Sequence, residues 1–545
     1  MDVVTKLEDY CKRAAELGHT TIFTTNHGTQ ANIFEATTLG HQYGLKPILG
    51  VESYYTEDIN IKNRDAAHII LIALNDDGAR DLNRIISMAH EVGFYYKPRI
   101  DWNMIDSVNP RNIVITTACV AGIWNNENLI RRLHDKFQDN FFFEVQNHDA
   151  EIQKVVNRKA LEMRQKYGIK LIHANDSHYI NQSDKSNIEK VKINGKFYDL
   201  LPADRDLFLK GKGINYADEN QFILDYPDSD TIIERYKKQG ILTDEEINEA
   251  LESTLIFDKA EELTIVNDDI KLPSVSQNPD QELRDVVYNQ WEQEKLKLDK
   301  SVWEKYQKEI NYELDIVSKT HMADYFLIDY NTVKLAKGKY NGVLTKTGRG
   351  SAPSFYIVKL LGLTNIDRIA APVTLFPTRF MSVERILGSR SLPDIDLNSA
   401  NRQPFIKASE DLLGKENCAW MLSWKPLQSS SGFRLYCKAI GLDINDYEKI
   451  GKELSALSET KKPYTECSKM KDENWRKIIE ASRPFVGVIE SVAASPCSMC
   501  LATAPIRENI GMIKTKASED DEENITLCCL LDGGNCDKYK YLKND

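Results

Sequence analysis

The sequence contains no apolar run that approaches the roughly 18 residues of a membrane span. Its first 18 residues form an amphipathic, charged pattern without the apolar core of a signal peptide. Ten cysteines in a chain of 545 residues are too few for a disulfide framework. We therefore expect a cytoplasmic, multidomain protein that has no membrane partner.

The chain also lacks an excess of positive charge. It carries 70 Lys and Arg residues against 82 Asp and Glu residues, which gives a net charge of −12. A nucleic-acid partner would therefore have to bind at a locally basic surface. With 42% hydrophobic and 28% charged residues, the composition is that of a globular protein and excludes collagen-like, low-complexity and wholly disordered classes.

Short β-rich runs alternate with helical patterns through the N-terminal third of the chain. An amphipathic helix comes first, because apolar residues recur at steps of three and four up to Gly18. The β-rich runs cover residues 20–24, 47–51, 69–74, 113–117, 141–145 and 170–173. Strands that alternate with helices predict parallel strands in an α/β layer or barrel.

Side chains that commonly bind metals stand next to these β-rich runs. They are His27, Glu52, His68, Cys119, Asp176 and His178. Residues near the strand ends of an α/β barrel converge on one face, and imidazole, carboxylate and thiolate groups together suit zinc or manganese. We therefore predict a site for Zn²⁺ or Mn²⁺ here. The alternative is that each of these residues is an isolated polar group that caps a strand.

A pair of aspartates stands in the middle of the chain. Asp394 and Asp396 alternate with apolar residues, so on a strand both carboxylates would face the same side. Two carboxylates on one face repel each other unless cations lie between them, and Mg²⁺ prefers such ligands. The pattern indicates a two-metal site for phosphoryl chemistry, although Asp-x-Asp pairs also occur on ordinary surface strands and turns.

A glycine-rich turn precedes the aspartates. It consists of Gly348, Arg349, Gly350 and Ser351. Its backbone N–H groups, guanidinium and hydroxyl suit a polyphosphate ligand. The same four residues on their own are also typical of a plain turn.

Taken in order, these motifs resemble those of the C-family replicative DNA polymerases, the bacterial and phage DNA polymerase III alpha subunits. The stretches similar to the PHP domain of that family are residues 25–28, 44–52, 93–101 and 175–179. The stretches similar to its palm are residues 325–328, 348–351, 375–376, 379–380, 384–385 and 393–396. Residues 541–545 resemble the strand that carries the family's third catalytic carboxylate. The resemblance covers nearly the whole chain.

The resemblance implies an α/β architecture: a PHP-type distorted β/α barrel followed by a mixed-sheet, nucleotidyltransferase-like palm with a helical thumb insertion. The expected domains are a PHP domain at 1–190, a helical connection at 191–270, the first part of the palm at 271–405, the thumb at 406–490 and the second part of the palm at 491–545.

The resemblance also implies template-directed DNA synthesis from dNTPs on a primer-template. Asp394, Asp396 and Asp545 would then be the catalytic residues and would hold two Mg²⁺ ions. The residues that would bind the nucleotide are Gly348, Arg349, Gly350, Ser351, Arg379 and Lys543. Lys425 and Arg434 would contact the phosphates of the duplex.

The sequence departs from the family pattern at both ends. The family begins with a His-x-His strand that is missing before the first helix, and Asn26 stands where the family has Asp. We therefore expect a mainly structural PHP domain with an incomplete metal site. The family also continues past the third aspartate, so we expect a fragment or split subunit. A separate polypeptide would carry the fingers and C-terminal domains and would contact a sliding clamp.

Two other functions stay open. The first is a PHP-type, metal-dependent phosphoesterase that acts as a 3′ exonuclease, and the second is a non-catalytic component of a replication complex. The cysteines near the C-terminus are also open to two interpretations. Cys497, Cys500, Cys528, Cys529 and Cys536 suggest a zinc knuckle, but their spacing matches no common zinc finger, and we favour core thiols.

Overall fold

The computed structural model of the chain describes residues 3–214, 221–345, 348–390, 392–515 and 527–544. The chain forms two compact units. The first unit comprises residues 1–264 and 424–492, and the second unit comprises residues 265–423 and 493–545. Both units combine helices with strands, which confirms the predicted α/β fold class. Within the described ranges, no helix is both long enough and apolar enough to cross a membrane.

A seven-stranded sheet organises the first unit, beside a small parallel pair formed by β1 (Thr21–Ile22) and β2 (Lys46–Pro47). The strands of the large sheet are β3 (Gly50–Tyr55), β4 (Ala67–Ala73), β5 (Phe94–Tyr95), β6 (Lys97–Ile100), β7 (Ile113–Thr116), β8 (Phe141–Val145) and β9 (Leu171–His173). Their order is β5-β6-β3-β4-β7-β8-β9.

The direction of β4 differs from the sequence prediction. Strand β4 runs antiparallel to both of its neighbours, β3 and β7, whereas β6 on β3, β8 on β7 and β9 on β8 are parallel. The prediction of parallel strands is therefore wrong for β4. No helix lies between β3 and β4 in the chain, and an antiparallel pair needs no crossover helix.

Nine helices of the described residues lie in the N-terminal part of the first unit, and some of them pack against this sheet. They are α1 (Leu7–Glu16), α2 (Ile33–Gln42), α3 (Asp76–Glu91), α4 (Trp102–Asp106), α5 (Glu127–Phe137), α6 (Glu151–Tyr167), α7 (Arg205–Lys212), α8 (Ser229–Gln239) and α9 (Asp244–Ser253). Helix α3 contacts β4, α6 contacts β8 and α9 contacts β9. All residues of β3, β7 and β8 are buried, which is typical of strands that are covered on both faces.

A second hydrophobic core in the first unit joins segments that are far apart in the sequence. The hairpin of β10 (Lys190–Ile193) and β11 (Lys196–Asp199) contributes to it, and helix α7 packs against α15 (Ser429–Ala439). Helices α16 (Ile444–Glu459) and α17 (Glu473–Ala481) complete it. Segments on both sides of the second unit's sequence thus share one core.

The second unit combines a helical layer with a mixed sheet. Its helices are α10 (Pro279–Glu294), α11 (Trp303–Lys319), α12 (Ala323–Tyr340), α13 (Tyr356–Leu360), α14 (Gln403–Leu413), α18 (Ile506–Asn509) and α19 (Gly533–Lys538). The strands of the sheet are β12 (Cys418–Pro426), β13 (Ile489–Leu501), β14 (Met512–Lys514), β15 (Leu527–Cys529) and β16 (Leu542–Asn544). Their order is β14-β15-β12-β13-β16, with β12 parallel to β15 and with β13 antiparallel to β16.

The segment that carries the paired aspartates is extended but is not a strand, which corrects the expectation from the sequence. Residues 392–398 have no regular secondary structure, and an isolated bridge joins Leu344 to Ser399 just beyond them. Two backbone positions in this segment have no N–H group available for the hydrogen bonds of a β-ladder. Pro393 has no N–H, and the N–H of Ile395 donates to the hydroxyl of Tyr325.

The C-terminal cysteines are buried thiols, with one exception. Cys500, Cys528, Cys529 and Cys536 have no exposed surface, whereas Cys497 is exposed. Among the described residues, none of these thiols belongs to a group of three or more ligands with metal-binding spacing. The four buried cysteines therefore agree with the prediction of core thiols.

Candidate active site

Asp394 and Asp396 lie on either side of a buried isoleucine in the second unit. The side chain of Ile395 belongs to the hydrophobic core of this unit. The side chains of Asp394 and Asp396 are 56% and 22% exposed, respectively. The alternation of acidic and apolar residues thus keeps both carboxylates outside the core, even though the segment is not a strand.

The glycine-rich turn lies directly against Asp396. Gly350 has a left-handed backbone with a φ of 68°, and a Cβ atom at this position would lie 2.0 Å from Oδ2 of Asp396. The Nε atom of Arg349 lies 3.8 Å from Oδ1 of Asp396. A Cβ atom on Gly348 would lie 2.7 Å from Cγ1 of Ile366. Both glycines therefore allow a close approach that a side chain would prevent.

Lys543 reaches the other aspartate from strand β16. Its Nζ atom lies 3.8 Å from Oδ1 of Asp394 and 3.1 Å from Oδ1 of Asp537. The register of β16 on β13 pairs Lys543 with Cys500. The third predicted carboxylate, Asp545, lies outside the described residues. The structure thus brings two aspartates, the glycine-rich turn and one lysine together.

The other predicted nucleotide-binding residues have the following surroundings. Ser351 immediately precedes a 3₁₀ turn, Ala352–Ser354, and its carbonyl oxygen accepts a hydrogen bond from the N–H of Ser354. Arg379 is exposed, and its carbonyl oxygen accepts a hydrogen bond from Arg385.

Lys425 and Arg434, the predicted contacts to duplex phosphates, belong to the first unit. Lys425 is exposed. The guanidinium of Arg434 donates to Glu448 at 2.8 and 3.1 Å. A phosphate at Arg434 would therefore compete with a carboxylate inside the chain, while Lys425 projects from the end of β12.

Two buried residues of α12 hold the segments of this site, and the sequence analysis missed their role. The hydroxyl of Tyr325 accepts a hydrogen bond from the N–H of Ile395 at 2.9 Å. Oδ1 of Asp329 accepts a hydrogen bond from Nδ2 of Asn544 at 3.2 Å. Burial raises the pKa of Asp329 to about 8, although the bond from Asn544 acts to lower it. The available signal in the sequence was Asp329 itself, an acidic residue that directly follows the apolar run 325–328.

A buried glutamate fixes the start of the helix that follows the turn. Oε1 and Oε2 of Glu313 accept hydrogen bonds from the N–H groups of Tyr356 and Ile357, each at 2.9 Å. Arg368 also bonds to this carboxyl group. Burial raises the pKa of Glu313 to about 7, while Arg368 and the two N–H groups act to lower it. Glu313 thus ties α11 to α13.

In the first unit, three predicted metal ligands converge. The ligand atoms of His27, Glu52 and His68 all lie within 4.8 Å of one another. Nδ1 of His68 lies 2.6 Å from Oε1 of Glu52, and Nδ1 of His27 lies 3.5 Å from Oε2. Glu52 is on β3 and His68 is on the adjacent strand β4, while an isolated bridge joins His27 to Glu52. This geometry suits a divalent metal ion.

Cys119 adds a sulfur atom to this cluster. Its Sγ atom lies 3.4 Å from Nδ1 of His68 and 3.8 Å from Oε1 of Glu52. Burial raises the pKa of the Cys119 thiol well above its usual value, and the charges of Glu52 and Asp176 act in the same direction. Nδ1 of His178 lies 3.7 Å from Oδ1 of Asp176. The six predicted ligands are therefore in one region of the first unit.

The electrostatics of the cluster favour an ionised carboxylate. Burial acts to raise the pKa of Glu52, but the hydrogen bond from His68 and the charges of His27, His68 and His178 outweigh it and lower the pKa. Tyr54 was not predicted. Its ring stacks on His27 with centroids 5.8 Å apart. Nitrogen, oxygen and sulfur donors around one buried carboxylate fit a transition-metal ion.

Two parts of the chain match models of known protein families. Residues 281–545 match the family described as the bacterial DNA polymerase III alpha NTPase domain, and residues 1–166 match the PHP domain. Curated relatives named DNA polymerase III subunit alpha align with most of the chain. The chain is similar to the DNA polymerase III alpha family over most of its length. This confirms the resemblance that its motifs predicted.

The curated relatives have low sequence identity to this chain, and they are longer than it. The protein of Aquifex aeolicus is 26% identical, and its alignment covers 83% of the chain and 40% of the relative. The protein of Chlamydia trachomatis is 24% identical over 97% of the chain and 47% of the relative. The protein of Thermus aquaticus is 23% identical over 94% of the chain and 47% of the relative. The chain thus spans less than half the length of these relatives.

Proposed function

We propose that the chain performs the nucleotidyl-transfer step of template-directed DNA synthesis. A primer 3′-hydroxyl would attack the α-phosphate of a dNTP, and pyrophosphate would leave. One observation carries this proposal: the glycine-rich turn lies against Asp396, and Lys543 lies beside Asp394. A turn that suits a polyphosphate next to two acidic residues is the arrangement that this reaction needs.

Each group of residues has an expected part in the reaction. Asp394, Asp396 and Asp545 would hold two Mg²⁺ ions, which when bound would polarise the attacking hydroxyl and offset the charge of the leaving pyrophosphate. The residues that would orient the triphosphate are Gly348, Arg349, Gly350, Ser351 and Arg379. The ammonium group of Lys543 would offset negative charge at the α-phosphate. Lys425 and Arg434 would bind the backbone of the primer-template.

We also propose that polymerisation needs the portion of the relatives with which the chain does not align. The alignments cover only 40% to 47% of those relatives. In the family the remaining portion includes the fingers, which close on the nucleotide, and the segment that contacts a sliding clamp. We call a mixture of this chain with a polypeptide that supplies this portion the complemented enzyme.

A second candidate function belongs to the first unit. The cluster of His27, Glu52, His68 and Cys119 favours a metal-dependent phosphoesterase that removes nucleotides from a DNA 3′ end. Zn²⁺ or Mn²⁺ would suit these ligands. This activity would use a different set of residues from the polymerase, so single substitutions can separate the two.

Primer extension and nuclease assays test both proposals. The chain alone and the complemented enzyme are given a labelled primer-template, dNTPs and Mg²⁺. We expect extension by the complemented enzyme, its loss in Asp394→Asn and its retention in Asp285→Asn, a matched substitution at an exposed acid of α10. Extension by Asp394→Asn at the unmodified rate would contradict the polymerase proposal.

The nuclease arm omits dNTPs and adds Zn²⁺ or Mn²⁺. Loss of 3′-end degradation in His68→Ala, with retention in Asp394→Asn, would support the phosphoesterase. If neither extension nor degradation occurs, a non-catalytic role in a replication complex becomes the favoured function.

A further inference from the structure

Helix α12 contacts two segments of the candidate active site through one of its faces. Tyr325 and Asp329 are four residues apart, so their side chains lie on the same face of the helix. Both residues are buried. Tyr325 bonds to the backbone N–H of Ile395 at 2.9 Å, and Asp329 bonds to the side-chain amide of Asn544 at 3.2 Å.

The two bonded residues stand next to the groups that the reaction needs. Ile395 separates Asp394 from Asp396, and Asn544 directly follows Lys543. A displacement of either bonded residue would therefore move the charged side chains beside it.

The same helix also anchors both segments through apolar side chains. Ile395 and Leu542 are buried in the hydrophobic core that contains Phe326 and Ile328 of α12. An apolar side chain can slide along a packed surface, whereas a hydrogen bond fixes distance and direction. The bonds of Tyr325 and Asp329 therefore supply the directional part of the anchoring.

The aspartate segment depends on this bond more than a strand would. Residues 392–398 have no regular secondary structure, so no strand ladder runs along the two aspartates. The segment is held at its end, where the carbonyl oxygen of Asn398 accepts a hydrogen bond from the N–H of Thr345 at 2.8 Å. Pro393 supplies no N–H at all. The N–H of Ile395, which lies between the two aspartates in the sequence, donates its hydrogen bond to the hydroxyl of Tyr325.

We propose that Tyr325 and Asp329 are positioning residues, which hold the Asp394–Asp396 segment and the Lys543–Asn544 strand in the mutual arrangement that nucleotidyl transfer needs. This inference rests on the proposed polymerase function of the same site. Neither residue is expected to touch the nucleotide or the primer. Carboxylates that share metal ions need placement to within about 0.5 Å, so a small shift of either segment lowers the rate.

The test removes each hydrogen bond while it keeps the shape of the side chain. Tyr325→Phe removes the hydroxyl, and Asp329→Leu replaces both carboxyl oxygens, including the acceptor of the bond from Asn544, by methyl groups in a side chain of the same branching. Tyr340→Phe is the matched control, because Tyr340 is also on α12 but bonds to Asp411, away from the aspartate segment. Asp411→Leu is the control for the second substitution.

The first readout is primer extension by the complemented enzyme. We expect kcat to fall by about tenfold in Tyr325→Phe, the equivalent of one net hydrogen bond, with little change in KM for the dNTP. The Mg²⁺ concentration for half-maximal rate should rise, because the carboxylates of Asp394 and Asp396 are no longer held in their metal-binding arrangement before Mg²⁺ binds. Unchanged kcat and Mg²⁺ dependence in both Tyr325→Phe and Asp329→Leu would overturn the inference.

The second readout needs no activity and separates this inference from the polymerase proposal. Amide hydrogen exchange is followed in the peptide 392–398 as Mg²⁺ is added. We expect faster exchange and a higher Mg²⁺ concentration for protection in Tyr325→Phe, but not in Tyr340→Phe. If the unmodified complemented enzyme fails to extend primers, the polymerase proposal fails. The hydrogen-exchange measurement then tests the positioning role by itself. Equal protection of the amides of residues 392–398 in Tyr325→Phe and in the unmodified protein would refute that role.

Discussion

A Cβ atom on Gly350 would lie 2.0 Å from Oδ2 of Asp396, which is closer than any two non-bonded atoms can come. The backbone of Gly350 also has a φ of 68°, in the left-handed region. Two independent constraints, one steric and one conformational, therefore require glycine at this position. Together they allow the turn to lie against the carboxylate that we assign to the metal site.

Substitution of Gly350 should impair polymerisation more than folding. In Gly350→Ala the methyl group displaces either the turn or the Asp396 carboxylate, and the left-handed backbone adds about 1–2 kcal/mol of strain. We expect primer extension by the complemented enzyme to fall by at least about tenfold, since each 1.4 kcal/mol is a factor of ten. Steady-state extension rates and a thermal melt measure the two effects.

Gly338→Ala is the control for this prediction. Gly338 lies in α12, and a Cβ atom there would have no neighbour within 4 Å. Alanine in place of glycine within a helix stabilises by up to about 1 kcal/mol, so this variant should melt at an equal or higher temperature. Extension by Gly350→Ala at the rate of Gly338→Ala would show that the turn tolerates displacement.

Arg349 should affect nucleotide binding and not the folding of the second unit. Its guanidinium is largely exposed and lies 3.8 Å from Asp396, so a bound triphosphate would find a cation already in place. We expect Arg349→Ala to raise KM for the dNTP by about tenfold, the value of one charged hydrogen bond. Arg349→Lys should recover part of this loss, because lysine keeps the charge but not the fork geometry.

Lys305, another cation of the second unit, provides the comparison. Lys305→Ala removes a charge from the exposed face of α11 and should leave KM unchanged. Equal KM values for Arg349→Ala and Lys305→Ala would remove Arg349 from the nucleotide site.

The first unit should bind fewer than three metal ions. Four of the predicted ligands, Glu52 itself included, lie close together, and Asn26 stands where the resembled family has Asp. Affinity depends on the number and geometry of ligands, so we expect incomplete occupancy of a trinuclear site. Metal analysis after dialysis against Zn²⁺ or Mn²⁺ gives the stoichiometry.

Removal of one ligand should lower that stoichiometry. We expect His68→Ala to lose metal and His41→Ala, at an exposed histidine of α2, to retain it. Three equivalents of metal in the unmodified chain would mean that ligands outside the predicted set complete the site.

Local patterns in the sequence predicted which residues meet, but not how their backbones are held. The alternation around Ile395 indicated that its side chain would be buried and those of Asp394 and Asp396 would not. The same alternation suggested a strand. The bond from Ile395 to Tyr325, 70 positions away, could not be inferred from either local sequence.

Long-range packing limited the prediction of the first unit in the same way. Phe208 and Phe433 share one core, although more than two hundred residues separate them. Periodicity identifies the apolar face of each helix, but it does not say which distant helix covers that face. In contrast, His27, Glu52 and His68 were predicted to meet because strand ends of one sheet converge. His68 reaches this edge from the start of β4 because β4 runs antiparallel to β3 and pairs His68 with Tyr54.

The buried carboxyl group of Asp329 should make the stability of the protein depend on pH. Burial raises its pKa in the folded chain to about 8, from an ordinary value of 3.8. The folded state therefore keeps a proton that the unfolded state releases as the pH rises above 3.8. Its contribution to stability is fully present below that value, declines as the pH rises and levels off above about 8.

Asp329→Asn should remove this dependence, because an amide does not titrate. Between pH 4 and 8, the unfolding free energy of the unmodified protein should fall relative to that of Asp329→Asn, by up to about 1.4 kcal/mol per pH unit. Urea unfolding at several pH values, followed by Trp291 and Trp303 fluorescence with the other tryptophans replaced, measures the second unit. Asp285→Asn, at an exposed acid, should leave the slope unchanged. Parallel pH profiles for Asp329→Asn and the unmodified protein would mean that Asp329 is ionised in the folded chain, and that a second donor besides Asn544 stabilises its charge.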